Sequence, residues 1–104
     1  MTLVELKKLL DATGYPVAYS HFNKAVEPPF IAYLVTYSPH FHADNKTYHK
    51  IDSVDIELYT SKKDLQAEQV LETLLEESEL PYVPYEEYIE SENVFKKTYE
   101  VRLF

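Results

Sequence analysis

Three groups of side chains in this sequence are of types that do chemistry. His40, His42 and His49 stand with Asp44 in one polar stretch. A His-x-His pair beside an acid is a donor set that zinc accepts. Asp52, Asp55 and Glu57 follow closely, and clustered carboxylates hold Mg²⁺ or carry acid–base steps. Ser20 beside His21 offers a nucleophile and a base.

The surroundings weaken each of these. A stable zinc site needs fixed geometry and supporting hydrogen bonds, which a polar loop does not promise, so the histidines are expected to be exposed or in an interface. A metal-dependent nuclease would place a lysine two residues after its last acid; here that position is Tyr59. Asp44 and Lys46 copy a D-x-K fragment, but they lie in the loop. The three acids therefore read as a solvated strand face. Neighbours in a strand point to opposite faces, so Ser20 and His21 cannot pair without distortion. A single glycine excludes Gly-rich phosphate loops, and the lack of cysteine excludes disulfides and thiolate metal sites. The expectation is a protein that is not an enzyme and uses no cofactor or metal.

The elements that must hold these residues are legible from period and punctuation. Thr2 with Glu5 is a capping box, and Leu3, Leu6, Leu9 and Leu10 share a helical face, predicting a helix over Thr2–Ala12 stopped by Gly14 and Pro16. Val17–Phe22 is a short strand, Asn23–Pro29 a loop, and Phe30–Tyr37 a central strand apolar on both faces. Ser38–Lys50 is a polar loop longer than ordinary hairpin connections, expected to be mobile in a free subunit and ordered by assembly. Ile51–Tyr59 alternates, with Val54, Ile56 and Leu58 facing one way and Ser53, Asp55, Glu57 and Tyr59 the other. A capping-box-like Ser61 and Asp64 open a second helix, Lys62–Ser78. Its stripe is Ala67, Val70, Leu71, Leu74 and Leu75, with Glu68, Glu72, Glu76 and Glu77 outside. Tyr82–Ile89 contains Pro84 and reads as an edge strand. It pairs as a hairpin, across a turn at Ser91–Asn93, with Phe95–Leu103. That segment sends Phe95, Lys97, Tyr99, Val101 and Leu103 to one face. The order α-β-β-β-α-β-β predicts one α+β domain over residues 1–104, a mostly antiparallel sheet of four to five strands with two helices packed on it.

Charge limits the partners. The formal net charge is −8, and residues 62 to 104 carry five bases against eleven acids. Such a surface opposes tight binding to phosphate by counterion release. The longest purely apolar run is far too short for a membrane helix, and the N-terminus lacks signal-peptide architecture, so a cytoplasmic protein without an anchor is expected. Ten tyrosines and five phenylalanines exceed what a small core buries comfortably. Tyr33, Tyr37, Phe41, Tyr48, Tyr59, Tyr82, Tyr85, Tyr88 and Tyr99 are divided between sheet faces and contact surfaces.

Three segments, EPPFIAYLVT, ADNKTYHKIDSVDIELYTSKKD and LPYVPYEEYIESENVFKKTYEV, resemble the small tail-terminator or tail-completion proteins of long-tailed phages and prophages of Gram-positive bacteria. The likeness runs from Glu27 to Val101. Its most familiar pieces are Pro28-Pro29-Phe30, Asp44-Asn45-Lys46 with Tyr48, and Ile56-Glu57-Leu58-Tyr59 followed by Lys62 and Lys63. The resemblance implies a small α+β fold, no catalytic residues, and a homo-oligomeric ring, commonly a hexamer, at the head-proximal end of the virion tail, assembled in the host cytoplasm. Such a ring stops polymerisation of the tail tube protein and docks onto the head-completion or connector protein. DNA passes through its lumen without specific binding.

A closed ring needs two different contact patches per subunit. The expected interface residues are Phe41, His42, Asn45, Lys46, Tyr48 and His49 of the long loop, with Asp55, Glu57 and Tyr59 of the following strand. The alternative readings are a head-completion or head–tail connector subunit, a small metal-dependent nuclease using Asp52, Asp55 and Glu57, and a DNA-mimicking inhibitor of the host.

Overall fold

Thr2 opens the first helix, α1 (Leu3–Asp11), through the expected reciprocal cap. Its hydroxyl accepts the Glu5 N–H at 3.1 Å, and the Glu5 carboxylate accepts the Thr2 N–H at 2.9 Å. In the computed structural model, which describes residues 1–37 and 52–103, α1 caps at Ala12. Gly14 then takes φ +85°, a backbone state in which a Cβ is strained.

The second helix, α2 (Leu65–Glu77), starts later than the sequence suggests. Its cap is Asp64, whose Oδ1 accepts the Ala67 N–H at 3.0 Å, not Ser61. A carboxylate there also complements the helix dipole, and Lys62 and Lys63 stay outside the helix. The C-terminus is a Schellman motif, with Leu80 N–H bonded to Leu75 C=O at 2.9 Å and Glu79 N–H to Glu76 C=O at 3.0 Å. Glu79 occupies the left-handed position, at φ +56°, that glycine usually takes. Leu75 and Leu80, both buried, clamp the turn from the apolar side.

Among the described residues five strands form one sheet: β1 (Val17–Tyr19), β2 (Phe30–Tyr37), β3 (Asp52–Thr60), β4 (Tyr82–Ile89) and β5 (Val94–Leu103). Their order is β1-β2-β3-β5-β4, with β1 parallel to β2 and the other pairs antiparallel. The α+β class and the element order are as expected. One strand expectation is corrected: β1 ends at Tyr19 because Ser20 adopts φ +67°. β2 is a central strand, as expected, flanked by β1 and β3. β4 is an edge strand, as Pro84 required.

Both helices cover the same sheet face. Leu6 and Leu10 of α1 and Ala67, Leu71 and Leu75 of α2 pack with Ile31, Tyr33, Val54, Ile56, Leu58, Tyr99, Val101 and Leu103. Each fully buried aliphatic side chain contributes roughly 1.5–3 kcal/mol relative to exposure. Glu68 and Glu72 do not lie outside, as the helical wheel suggested. Lys97 reaches Glu68 at 2.8 Å and Glu72 at 3.1 Å, and the Tyr99 hydroxyl donates to Glu72 at 2.7 Å. Lys63 completes the web, at 2.8 Å from Glu68 and 2.9 Å from Glu86. The lysine on the apolar phase of β5 draws two helix carboxylates inward, because a buried charge must be paired.

Candidate functional site

The strict alternation of β3 sends Ser53, Asp55, Glu57 and Tyr59 to the sheet face opposite both helices. The register with β5 sets Asp55 opposite Glu100, Glu57 opposite Thr98, and Tyr59 opposite Lys96. β2 extends these rows with Leu34, Ala32 and Phe30, and β4 extends them with Val83, Tyr85 and Glu87. The result is a charged block in the middle of the face, an aromatic end at Phe30 and Tyr59, and an exposed border on β4. Val83 is 64% exposed and Tyr85 52% exposed there.

Neutralisation within the charged block is incomplete. Lys96 lies 3.1 Å from Glu87 and 3.7 Å from Glu57, so one cation serves two carboxylates. The Tyr59 hydroxyl donates to Glu57 at 3.0 Å. Burial, then the charge of Glu57, push the Tyr59 hydroxyl well above the usual phenol range. Among the described residues no cation pairs with Asp55 or Glu100. Burial, reinforced by Glu100 and Glu57, raises the Asp55 carboxyl, and Lys96 only partly opposes this. The hydroxyl Oγ1 of Thr98 is buried without a hydrogen-bond partner among the described residues.

At the aromatic end, Phe30 stacks on Tyr59 with ring centres 4.8 Å apart, and Phe22 meets Phe30 edge-on at 5.3 Å. A cleft of about 460 Å³ opens there between the loop after β1 and the β4–β5 turn, bordered by Phe22, Lys24, Val26, Tyr59 and Glu92. Ser20 and His21 also line it. The left-handed backbone at Ser20 supplies the distortion that lets them meet, with Ser20 Oγ 3.3 Å from His21 Nδ1. Both are exposed, and among the described residues no third group orients the imidazole. The pair therefore lacks what activates a serine nucleophile.

Asp55, Glu57 and Tyr59 stand together as the sequence predicted. Phe41, His42, Asn45, Lys46, Tyr48 and His49, like His40 and Asp44, lie outside the described residues, as does the whole expected loop. Asp52 shares the phase of Val54 and Ile56, on the helix-covered face. The trio Asp52, Asp55 and Glu57 therefore does not converge, and among the described residues no group of three or more metal-type donors is assembled. Of the expected aromatics, Tyr33 and Tyr99 are buried, Tyr59 and Tyr82 half-buried, and Tyr85 and Tyr88 exposed. Sequence reasoning passed over Lys96, Thr98 and Glu100. Their phase on β5 is readable from its alternation, but their pairing with β3 depends on the crossover that brings β5 inside β4.

These features define an α+β protein in which, among the described residues, one sheet face is covered by helices and the other is helix-free. No family model matches the chain, and a search of curated proteins found no significant relative. Among the described residues no helix is long and apolar enough to cross a membrane.

Proposed function

We propose that this chain is a structural subunit that acts by assembly: a tail-terminator protein that closes the head-proximal end of a phage tail tube. The observation that carries the reading is the resemblance of three segments spread from Glu27 to Val101. The geometry supports it in one respect. A whole sheet face presents charged and aromatic side chains that the helices do not cover, and ring closure requires two unlike contact patches on each subunit.

In this role the helix-covered core sets the shape of the subunit, and the other face and the β4 border make contacts. The acid-rich C-terminal half lets DNA pass without adhering, since phosphate is repelled rather than captured. The partners are further copies of the chain, in a hexameric ring, then the tube protein below and the head-completion protein above.

The test is mass measurement of the purified protein alone and with tube protein, together with tail length in a producing strain that lacks this gene. The reading expects a closed oligomer, alone or on tube ends, and tails of uncontrolled length in its absence. A strict monomer that ignores the tube and leaves tail length unchanged defeats it. Binding to the connector but not to the tube would transfer the role to head completion.

A further inference from the structure

Asp55 and Glu100 face one another directly across β3 and β5. Like charges in that position destabilise a sheet. Glu57 adds a third carboxylate in the next row; of the cations on this face, Lys96 is already shared with Glu87, and Arg102, two residues beyond Glu100, forms no ion pair among the described residues. Thr98 completes this block of four. It is directly opposite Glu57, two residues from Glu100, only 1% exposed, and its hydroxyl has no partner among the described residues. The same chain pairs its charges closely on the other face, where Lys97 and Lys63 hold Glu68, Glu72 and Glu86. An unneutralised block beside a well-paired one marks a place where local stability gives way to another requirement.

We propose that the block of Asp55, Glu57, Glu100 and Thr98 receives a lysine side chain from a second copy of this chain. The inference rests on the reading that the protein assembles with itself and names the face by which it does so. Charge complementarity selects the occupant. Copies carrying −8 each repel one another, so a homo-oligomer needs local cation–carboxylate contacts. Nine of the ten bases in the sequence are lysines. Among the described residues Lys24 and Lys62 are exposed and form no ion pair. Lys24 borders the cleft at the aromatic end of this same face, which Tyr59 also lines. An ammonium between Asp55 and Glu100 would neutralise the repelling pair.

Two measurements decide the matter. In the first, the assembled protein, made from equal parts of ¹⁴N- and ¹⁵N-labelled chains, is treated with a zero-length carbodiimide, which joins a carboxylate to an amine in contact. Peptide masses should show Asp55, Glu57 or Glu100 linked to a lysine of the other isotope. Assemblies without such links overturn the proposal. In the second, Asp55→Asn and Glu100→Gln are compared with the unaltered chain. Relief of repulsion should raise the thermal midpoint of the dissociated subunit by about 2–4 °C. Loss of the ionic contact should raise the concentration for half-assembly by roughly tenfold or more. Variants that are less stable as subunits, or that assemble as well as the parent, overturn it. A parent chain that never assembles, alone or on tube ends, sinks the functional reading itself, whereas a parent that assembles alongside unaffected variants sinks only this contact.

Discussion

The two faces of the sheet are built from alternate residues of the same strands, yet they treat charge in opposite ways. On the helix-covered face Lys97 and the exposed Lys63 are paired with Glu68, Glu72 and Glu86 at 2.8–3.1 Å, with Tyr99 closing the web. On the helix-free face Asp55 faces Glu100, and Lys96 is divided between Glu57 and Glu87. Burial alone does not separate them, because Asp55, Glu57 and Lys96 are themselves half-buried. The difference lies in what each face must accomplish inside one subunit. The first closes a core, and the charges of Lys97, Glu68 and Glu72 admitted to it are matched to one another. The second closes nothing within the described chain, so mismatch there is tolerated or used.

The strongest way to break this contrast is to truncate neighbouring residues of β3 that point in opposite directions. Ile56 is fully buried between Tyr33 and Tyr99 in the ladder. Ile56→Ala should cost about 3–4 kcal/mol in urea unfolding, the loss of transfer energy plus a cavity. Glu57→Ala, one residue on, should cost about 1–2 kcal/mol, because it removes the hydrogen bond from Tyr59 and a long ion pair but also a source of repulsion. Comparable losses at the two sites would mean that the helix-free face is also core, and the division of labour would fail.

A finer comparison uses two adjacent lysines. Lys97→Met leaves Glu68, itself 6% exposed, with Lys63 alone, and strips Glu72 of its cation. A loss of about 2–3 kcal/mol is expected, because a buried carboxylate is left under-compensated. Lys96→Met affects Glu87, whose side chain is 53% exposed, and Glu57 at 3.7 Å. Its cost should stay under about 1 kcal/mol. Equilibrium unfolding of both variants in one buffer orders them, and an inverted order would locate the structural ion pairs on the other face.

How much of this was readable beforehand follows the range of the interactions. The α1 cap involves Thr2 and Glu5 only, and the β3 alternation needs nothing beyond itself, so both were legible. The cap of α2 was not, since Ser61 and Asp64 both carry capping side chains and only the folded chain shows Asp64 accepting the Ala67 N–H. The left-handed Glu79 carries no glycine signal; the burial of Leu75 and Leu80 imposes it. The helical wheel put Glu68 in solvent, because the lysine that draws it inward lies far along the chain on β5. The candidate site divides the same way. Asp55, Glu57 and Tyr59 were visible as one strand face, whereas Glu100 and Thr98 joined them only through the strand order β3-β5-β4. Nothing local encodes that order.

The smallest effect, and the one most specific to the two faces, is the sign of their pH dependence. Burial works to raise the Glu68 carboxyl, but hydrogen bonds from Lys63 and Lys97 outweigh it and hold the group below its ordinary 4.5. The stability it contributes is therefore complete above that value and is lost as pH falls beneath it. Asp55 runs the other way. Burial, Glu100 and Glu57 raise it above its ordinary 3.8, so its penalty is full at neutral pH, eases as pH falls through the raised value, and vanishes below 3.8. Glu68→Gln should flatten the acid limb of a stability curve measured between about pH 3 and 6, and Asp55→Asn should steepen it. Urea midpoints across that range read both slopes. Two changes of the same sign would show that the carboxylates of the helix-free face are held as firmly as those beneath the helices, and that the apparent mismatch at Asp55 and Glu100 is satisfied within the subunit.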